Sequence, residues 1–479
     1  MRIDLSHGMI IPLGTSEEEA IDLINHDVES TRPFWYMFEG LQYDDKARLE
    51  TSAETVKKLR ALGETMIEEQ AIRPNVFVPA IYTFFGQFVD HDITLEMGSS
   101  KIALNNASPL SLDEVHHQIV NSRSPDLDLD QVYGPDLKGN MAPRYKEEQL
   151  LLDPVPGSDK APRKDLLNDL PRNGDGVALV GDPREDANIV LSQLHVAFMK
   201  AHNVLVKGGL KFEAARETLC QHYQWIVLND FLKRIADPII VDKVRYRQPK
   251  FFRPKGKFFM PLEFSGAVYR FGHSKVRAAY DGFNAPNQGG DLGLLFSRAR
   301  QPLTSDWVID WTHFVKPETN MIRPRPIDTL LTELLFTLLP AQVIDKDFEP
   351  NLAIRNLLRG YILRLPTGQA VANYMASDGI SPMTRDDMNS VPEIQYKVLE
   401  DTGLIDNTPL WFYILAEAWH SNKGQHLGPV GSTIVSEVLI GVLRNSTYSI
   451  LKEPDWRPTL GETAGKFDLE DLLKLADVF

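Results

Sequence analysis

The chain has 479 residues, enough for two or three domains or one large helical one. With 43% hydrophobic and 24% charged residues it is neither disordered, collagenous nor low-complexity. A formal charge of −15 opposes phosphate backbones and anionic lipid faces, so nucleic acid is not an expected partner. The single cysteine, Cys220, allows no intrachain disulfide and no zinc–cysteine cluster, so any metal must be held by His and carboxylates.

Residues 1–70 read as an irregular arm followed by an amphipathic helix, Ser52 to Glu69, wrapping a larger body at 71–479. The arm opens without a secretory pattern, and no apolar run approaches the roughly eighteen residues that span a bilayer. A cytoplasmic protein with no membrane span is expected. From Val76 onward the apolar spacing is helical, with helices expected at Ala80 to His91, Ile189 to Val206, Phe212 to Val241, Asp328 to Leu339, Asn351 to Arg364, Pro409 to His420 and Gly428 to Leu443. Long Pro, Gly, Asp and Asn-rich stretches separate them, and no strand–helix alternation or internal repeat is visible. The fold class is mainly α: a single large helical domain with long loops and little sheet.

Four short stretches carry polar groups suited to chemistry. GQFVDHD, Gly86 to Asp92, ends an apolar helix and places Gln87 and His91 on one face, with Asp92 about 100° round the axis. Alone, it also fits a helix C-terminus with a capping histidine. SPDLDLDQVYG, Ser124 to Gly134, alternates Asp126, Asp128 and Asp130 like the early ligands of a calcium loop, but lacks the Gly and Glu of an EF-hand. It is either a solvated acidic turn or a hard-cation site completed from elsewhere, with Asp92 available. GDPR, Gly181 to Arg184, presents an arginine just before a helix, as a structural residue or as a charge stabiliser. YRFGH, Tyr269 to His273, sets a histidine among aromatics, as a core residue or as an axial ligand of haem iron.

Together and in this order the four stretches resemble the animal-type haem peroxidase superfamily, also called the peroxidase–cyclooxygenase superfamily. The resemblance runs from about Pro79 to Leu443, and SQLHVAFMKAHN, RNLLRG, LPTGQAVA, TPLWFYIL and GPVGSTIVSEVLIGVL look like bacterial members in particular. It implies that His91 is the distal base, Gln87 its neighbour and Arg184 the distal arginine. It implies that His273 ligates the iron of haem b, that Asn356 accepts a hydrogen bond from that imidazole, and that Arg270 and Arg359 surround the propionates. It also implies a calcium site from Asp92, Ser124, Asp128 and Asp130 with the backbone carbonyl of Asp126. The activity so implied is reduction of hydrogen peroxide through a ferryl intermediate, with a small organic or halide donor as reductant.

Mammalian members tie the haem through an Asp and a Glu. Asp90 matches the first and Ala187 stands at the second, so at most one ester is expected. Oxygenase branches carry a radical tyrosine three residues before the proximal histidine, where this chain has Arg270, with Tyr269 one residue further off. This favours a peroxidase and leaves a fatty-acid dioxygenase as the alternative. A calcium-stiffened interaction protein without enzymatic activity is a third reading, weakened by the joint presence of His91, Arg184, His273 and Asn356.

Overall fold

The computed structural model describes residues 32–68, 74, 78–97, 107–134, 145–156, 167–286, 289–316, 321–337 and 349–479. About 52% of it is helical, with only short strands. Helix α1 (Ala53–Glu64) begins at Ser52, whose hydroxyl accepts from Thr55 N–H, and packs on α6 (Leu352–Ile362). Gly63 permits the approach, since a Cβ there would stand 3.0 and 3.1 Å from the backbone N and Cα of Ile354. The rest of the described arm is bound into the body. Its strand β1 (Arg32–Trp35) joins β2 (Glu96–Met97), β3 (Val120–Asn121) and β4 (Met260–Pro261) in the order β2-β3-β1-β4. It pairs antiparallel with β3 (Arg32 opposite Asn121) and parallel with β4 (Phe34 opposite Met260). Residues 1–31 lie outside the described residues.

Helix α2 (Ile81–Ile93) follows the predicted apolar pattern, and Ile81, Tyr82, Phe84, Phe85, Phe88, Val89 and Ile93 are buried. Its remaining side, Thr83, Gly86, Gln87 and Asp90, recurs at the three- and four-residue spacing of one face and is partly accessible. Helix α3 (Ile189–Lys207) is capped by Asn188, whose side chain accepts from Leu191 N–H. Contrary to the reading of the apolar runs, α3 is by length and composition apolar enough to cross a membrane, but 78% of its most apolar window is buried against neighbouring elements. It is a core helix.

Three predicted helices differ. The first, expected over Ser52 to Glu69, ends at Glu64, and Ile67 bridges Leu331 instead. Phe212 to Val241 is not continuous. Helix α4 (Phe212–Ile226) runs through a π turn at Val227–Phe231 and a short turn at Leu232–Ile235, then stops at extended Ala236. Asp237 caps a new helix, α5 (Pro238–Tyr246), because Pro238 cannot supply the N–H that continuation needs. At Asp328 to Leu339 the described residues hold only a 3₁₀ turn, Glu333–Phe336. Leu331 N–H instead donates to Met66 O at 2.7 Å and Leu331 O accepts from Glu68 N–H at 2.9 Å, which keeps this backbone extended. Positions 338 and 339 lie outside the described residues. Helices α7 (Leu410–Asn422) and α8 (Pro429–Asn445) form where predicted and pack around the buried Glu417, whose carboxylate accepts from Val430 and Gly431 N–H at the start of α8.

Candidate functional site

The last turn of α2 brings His91 to the 3₁₀ turn Pro183–Asp186 that carries Arg184. Arg184 is fully buried. Its Nε and one terminal nitrogen donate to the Asp182 carboxylate at 3.0 and 2.6 Å, and that terminal nitrogen also donates to the carbonyls of His91 (3.2 Å) and Thr94 (2.7 Å). The guanidinium thereby closes the C-terminal end of α2. Asp182 also takes a hydrogen bond from Arg123. Burial would raise its pKa, but Arg184 and Arg123 hold the carboxyl well below the usual carboxylate range. Arg184 is therefore not the free cation that a bare turn suggests: only Nη1, buried and without a partner, remains to donate.

His91 is buried, with Nδ1 2.7 Å from Glu185 Oε1. Burial and the charge of Arg184 lower its pKa against the pull of Glu185, so the ring is neutral near pH 7. Gln87 Oε1 accepts weakly from Asn188 Nδ2 at 3.4 Å, and Asp90 Oδ1 accepts from Thr94 Oγ1 at 2.9 Å. Burial raises the Asp90 pKa, opposed by Arg184 and Arg270. Asp90 thus stands in the field of both arginines, on the accessible face of α2.

The proximal segment, Val268–Lys275, winds as 3₁₀ turns and is joined to α2 by Tyr269, whose hydroxyl donates to Gly86 O at 3.2 Å. Gly272 and His273 are partly accessible between buried neighbours. The structure pairs His273 with Asn356 of α6, but with the opposite polarity to that implied by resemblance. Arg270 Nη1 donates to Asn356 Oδ1 at 3.1 Å, which turns the amide nitrogen toward His273 Nδ1 at 2.9 Å. Burial, then Arg270 and Arg355, push the His273 pKa down to about 3, so the ring is neutral, and this amide polarity puts its proton on Nε2. Arg270 also donates to Ser265 O, and its carbonyl accepts from Trp411 Nε1. Arg359 is engaged with Glu96.

The acidic loop reaches α2 through Asp92, whose Oδ1 accepts from Asp130 N–H at 2.8 Å while Oδ2 is buried and unpartnered. Ser124 Oγ lies 3.2 Å from Asp128 Oδ2 and 3.0 Å from Asp130 Oδ2. Leu129, between the last two aspartates, holds the left-handed conformation (φ 61°), a strained turn for a branched side chain. The Asp126 side chain points elsewhere, to Asn445 and Thr447. Burial and mutual repulsion raise the pKa of Asp92 and Asp128. Among the described residues no three His, Cys, Asp or Glu side chains converge to hold a metal ion. The carboxylates are close, buried and under-compensated, a donor set that suits a hard cation but is not drawn together as a coordination shell.

Sequence reasoning missed Glu185, Asp182 and Arg355. Asp182 was visible in the GDPR turn as a carboxylate two residues before a buried arginine. Glu185 follows Arg184 directly and Arg355 opens the stretch RNLLRG, but nothing local to either position gives it a partner.

A family model described as animal haem peroxidase matches residues 105–300, which include Arg184, His273 and the acidic loop. A peroxidase-like protein from Margaritifera margaritifera is 28% identical over 184 residues, 34% of this chain and 22% of that protein, so the chain spans about a fifth of that relative's length. Among solved structures, peroxidase A from Dictyostelium discoideum shares the fold at TM-score 0.60 and 16% identity, covering 89% of each chain. A fatty acid α-dioxygenase from Oryza sativa does so at 0.59 and 14%, covering 84% of this chain and 75% of that one. Its counterpart from Arabidopsis thaliana does so at 0.57 and 15%, covering 89% and 74%.

Removing Asp182 would leave two buried guanidiniums without a counter-charge. Asp182→Asn is expected to lower stability by about 3–5 kcal/mol, read from urea denaturation at pH 7. The depressed folded pKa makes this contribution complete above the unfolded value, near 3.9, and lost as pH falls below it. The gap between parent and variant should therefore narrow from pH 4 downward, and a gap that widens there would contradict the pairing.

Proposed function

We propose that this chain, which belongs to the animal-type haem peroxidase superfamily, reduces hydrogen peroxide and oxidises a small organic or halide donor. The observation that carries the reading is the pairing of two neutral histidines on elements joined by Tyr269: His91 beside a clamped arginine, and His273 beside an amide and two arginines. The partly accessible positions on these elements are Gln87 and Asp90 on α2 and Gly272 and His273 on the second segment. His273 would ligate the iron, with Arg270 and Arg355 supplying positive charge for the acidic groups, and Arg359 doing so once it turns from Glu96. When bound, haem supplies the redox-active iron and stores the oxidising equivalents.

The chain's own residues handle protons and charge. His91, neutral at working pH, accepts a proton from the inner oxygen of peroxide at Nε2 and returns it to the outer oxygen as that leaves as water. Arg184 places a fixed positive charge beside that transfer, with Nη1 as its free donor. Gln87 lines the same face and orients the substrate. A calcium ion between Asp92, Ser124, Asp128, Asp130 and the Asp126 carbonyl would hold His91 in register, because Asp92 is the next residue on α2. Asp90, on the partly accessible face of α2, would be the carboxylate that forms a covalent link to the haem.

A second reading, oxygen addition to a fatty acid, draws on the fold shared with the α-dioxygenases and on the buried Tyr269 phenol four residues before His273. Arg270 at the intervening position is tied to Asn356 and Ser265, which leaves Tyr269 hydrogen-bonded to α2. Oxygen uptake with a fatty acid, in place of peroxide consumption with a phenol or halide, would establish that reading instead.

His91→Ala should retain haem and react with peroxide about a hundred- to ten-thousand-fold more slowly in stopped-flow absorbance, and an unchanged rate would refute the base. Chelation should remove one calcium per chain, lowering the melting temperature and disturbing the haem band together; metal analysis finding no calcium in active protein would refute the site. Acidified-solvent extraction should leave a fraction of haem on the protein that grows after peroxide exposure and vanishes in Asp90→Val. Full extraction from the peroxide-treated parent would rule out the link.

A further inference from the structure

Among the described residues Glu185 is the carboxylate hydrogen-bonded to His91, and it is shared. Its Oε1 lies 2.7 Å from His91 Nδ1 and its Oε2 lies 3.2 Å from Nδ1 of His195, in the second turn of α3. All three side chains are buried. His195 is packed edge-on against the ring of Phe88 from α2, so the group is gripped from both helices. Among the described residues neither imidazole has a second hydrogen-bond partner: His195 Nε2 is buried and unpartnered, and His91 Nε2 makes no hydrogen bond.

We propose that Glu185 is the positioning residue for His91, accepting Nδ1–H from His91 and His195 at once and so fixing His91 in the tautomer whose lone pair sits on Nε2. The argument is one of donor count. Burial raises the Glu185 pKa, opposed by the hydrogen bond from His91 and the charge of Arg184. In its ionised form the carboxylate only accepts, so each ring that touches it must bring its proton on Nδ1, and the remaining nitrogen is left as a base. His195, held neutral by burial, serves as the second anchor that keeps the carboxylate from rotating away. The proposal rests on the reading of His91 as the acceptor of the peroxide proton, and extends it to the group that prepares that acceptor.

Glutamine at 185 would offer one oxygen and one NH₂ group. Only one ring could then keep its proton on Nδ1, and the other would have to receive the amide N–H there and move its proton to Nε2. His91 is the ring for which that change costs less, because its side chain keeps a residual 3% exposure whereas His195 Nε2 is fully enclosed, where a new N–H would go unsatisfied. In Glu185→Gln, His91 should therefore carry its proton on Nε2 and lose its basic nitrogen. Removing the competing ring as well, in Glu185→Gln/His195→Leu, should free the amide oxygen to face His91 and restore the original tautomer.

The test is nitrogen NMR of the haem-loaded protein with ¹⁵N-labelled histidine rings, in its diamagnetic ferrous carbon monoxide form, with His91 and His195 assigned by His→Gln replacement. The parent should show both rings protonated at Nδ1 and bare at Nε2. Glu185→Gln should invert His91 and slow the reaction with peroxide about a hundredfold or more, and the double variant should restore the tautomer and recover about tenfold or more of that rate. A parent His91 protonated at Nε2, or a Glu185→Gln protein whose His91 keeps its Nδ1 proton, would overturn the proposal. The parent spectrum decides even if a variant fails to fold. Tautomers that behave as stated while Glu185→Gln reacts at the parent rate would leave the positioning role standing and refute His91 as proton acceptor.

Discussion

The Asp182 carboxylate, enclosed between the guanidiniums of Arg184 and Arg123, is the interaction on which the distal half of the site depends. Arg184 could not sit fully buried against the end of α2 without a counter-charge, since an unpaired ion in that setting costs several kcal/mol. With its charge balanced, the same guanidinium is free to take the carbonyls of His91 and Thr94, which fixes where α2 stops. Arg123, at the start of the acidic loop, carries the clamp onward, donating also to Gly181 O. Gly181 itself cannot carry a side chain, because a Cβ there would lie 2.6 Å from Asp130 O and 2.7 Å from Gly134 N. One carboxylate therefore ties the helix carrying His91, the turn carrying Arg184 and the loop carrying the aspartates into a single unit.

The proximal half is organised by a different cation. Arg270 spans the Ser265 carbonyl and the Asn356 amide, and its own carbonyl is held by Trp411 of α7. It dictates which end of the amide faces His273. A ring that ligates iron through Nε2 needs its proton on Nδ1, and the amide oxygen rather than the nitrogen is then the matching partner. Binding of an acidic-edged cofactor that draws Arg270 toward it would release Asn356 to turn over, so the cation links the edge of the cofactor to the tautomer of its ligand. The two halves meet at Tyr269 and Gly86.

Much of this was legible beforehand where local rules act alone. The apolar spacing of α2, α3, α6, α7 and α8 sufficed to place those helices, and GQFVDHD on α2 does set Gln87 and His91 on neighbouring sides of one helix end. Periodicity failed where another constraint intervened: Pro238 broke a helix whose apolar pattern continues, and the pairing of Leu331 with Met66 and Glu68 held extended a segment of helical composition. The polarity of the Asn356 contact and the engagement of Arg184 with Asp182 were hidden for the same reason, since each depends on a third residue brought close only by the fold. Glu185 shows the limit most clearly, lying 94 positions from His91 in sequence and 2.7 Å from it in space.

Shared fold with both a peroxidase and α-dioxygenases means that architecture alone does not choose the co-substrate. We propose first that these two histidine-bearing elements form one haem site with His273 as its iron ligand. Titration of the purified chain with haem, followed by Soret absorbance, tests this most directly. One haem per chain should bind with a saturable shift of the band, the shift should be lost in His273→Gly, and imidazole in the medium should restore it. A chain that gives no saturable shift, or a His273→Gly protein whose spectrum matches the parent without imidazole, would contradict the account.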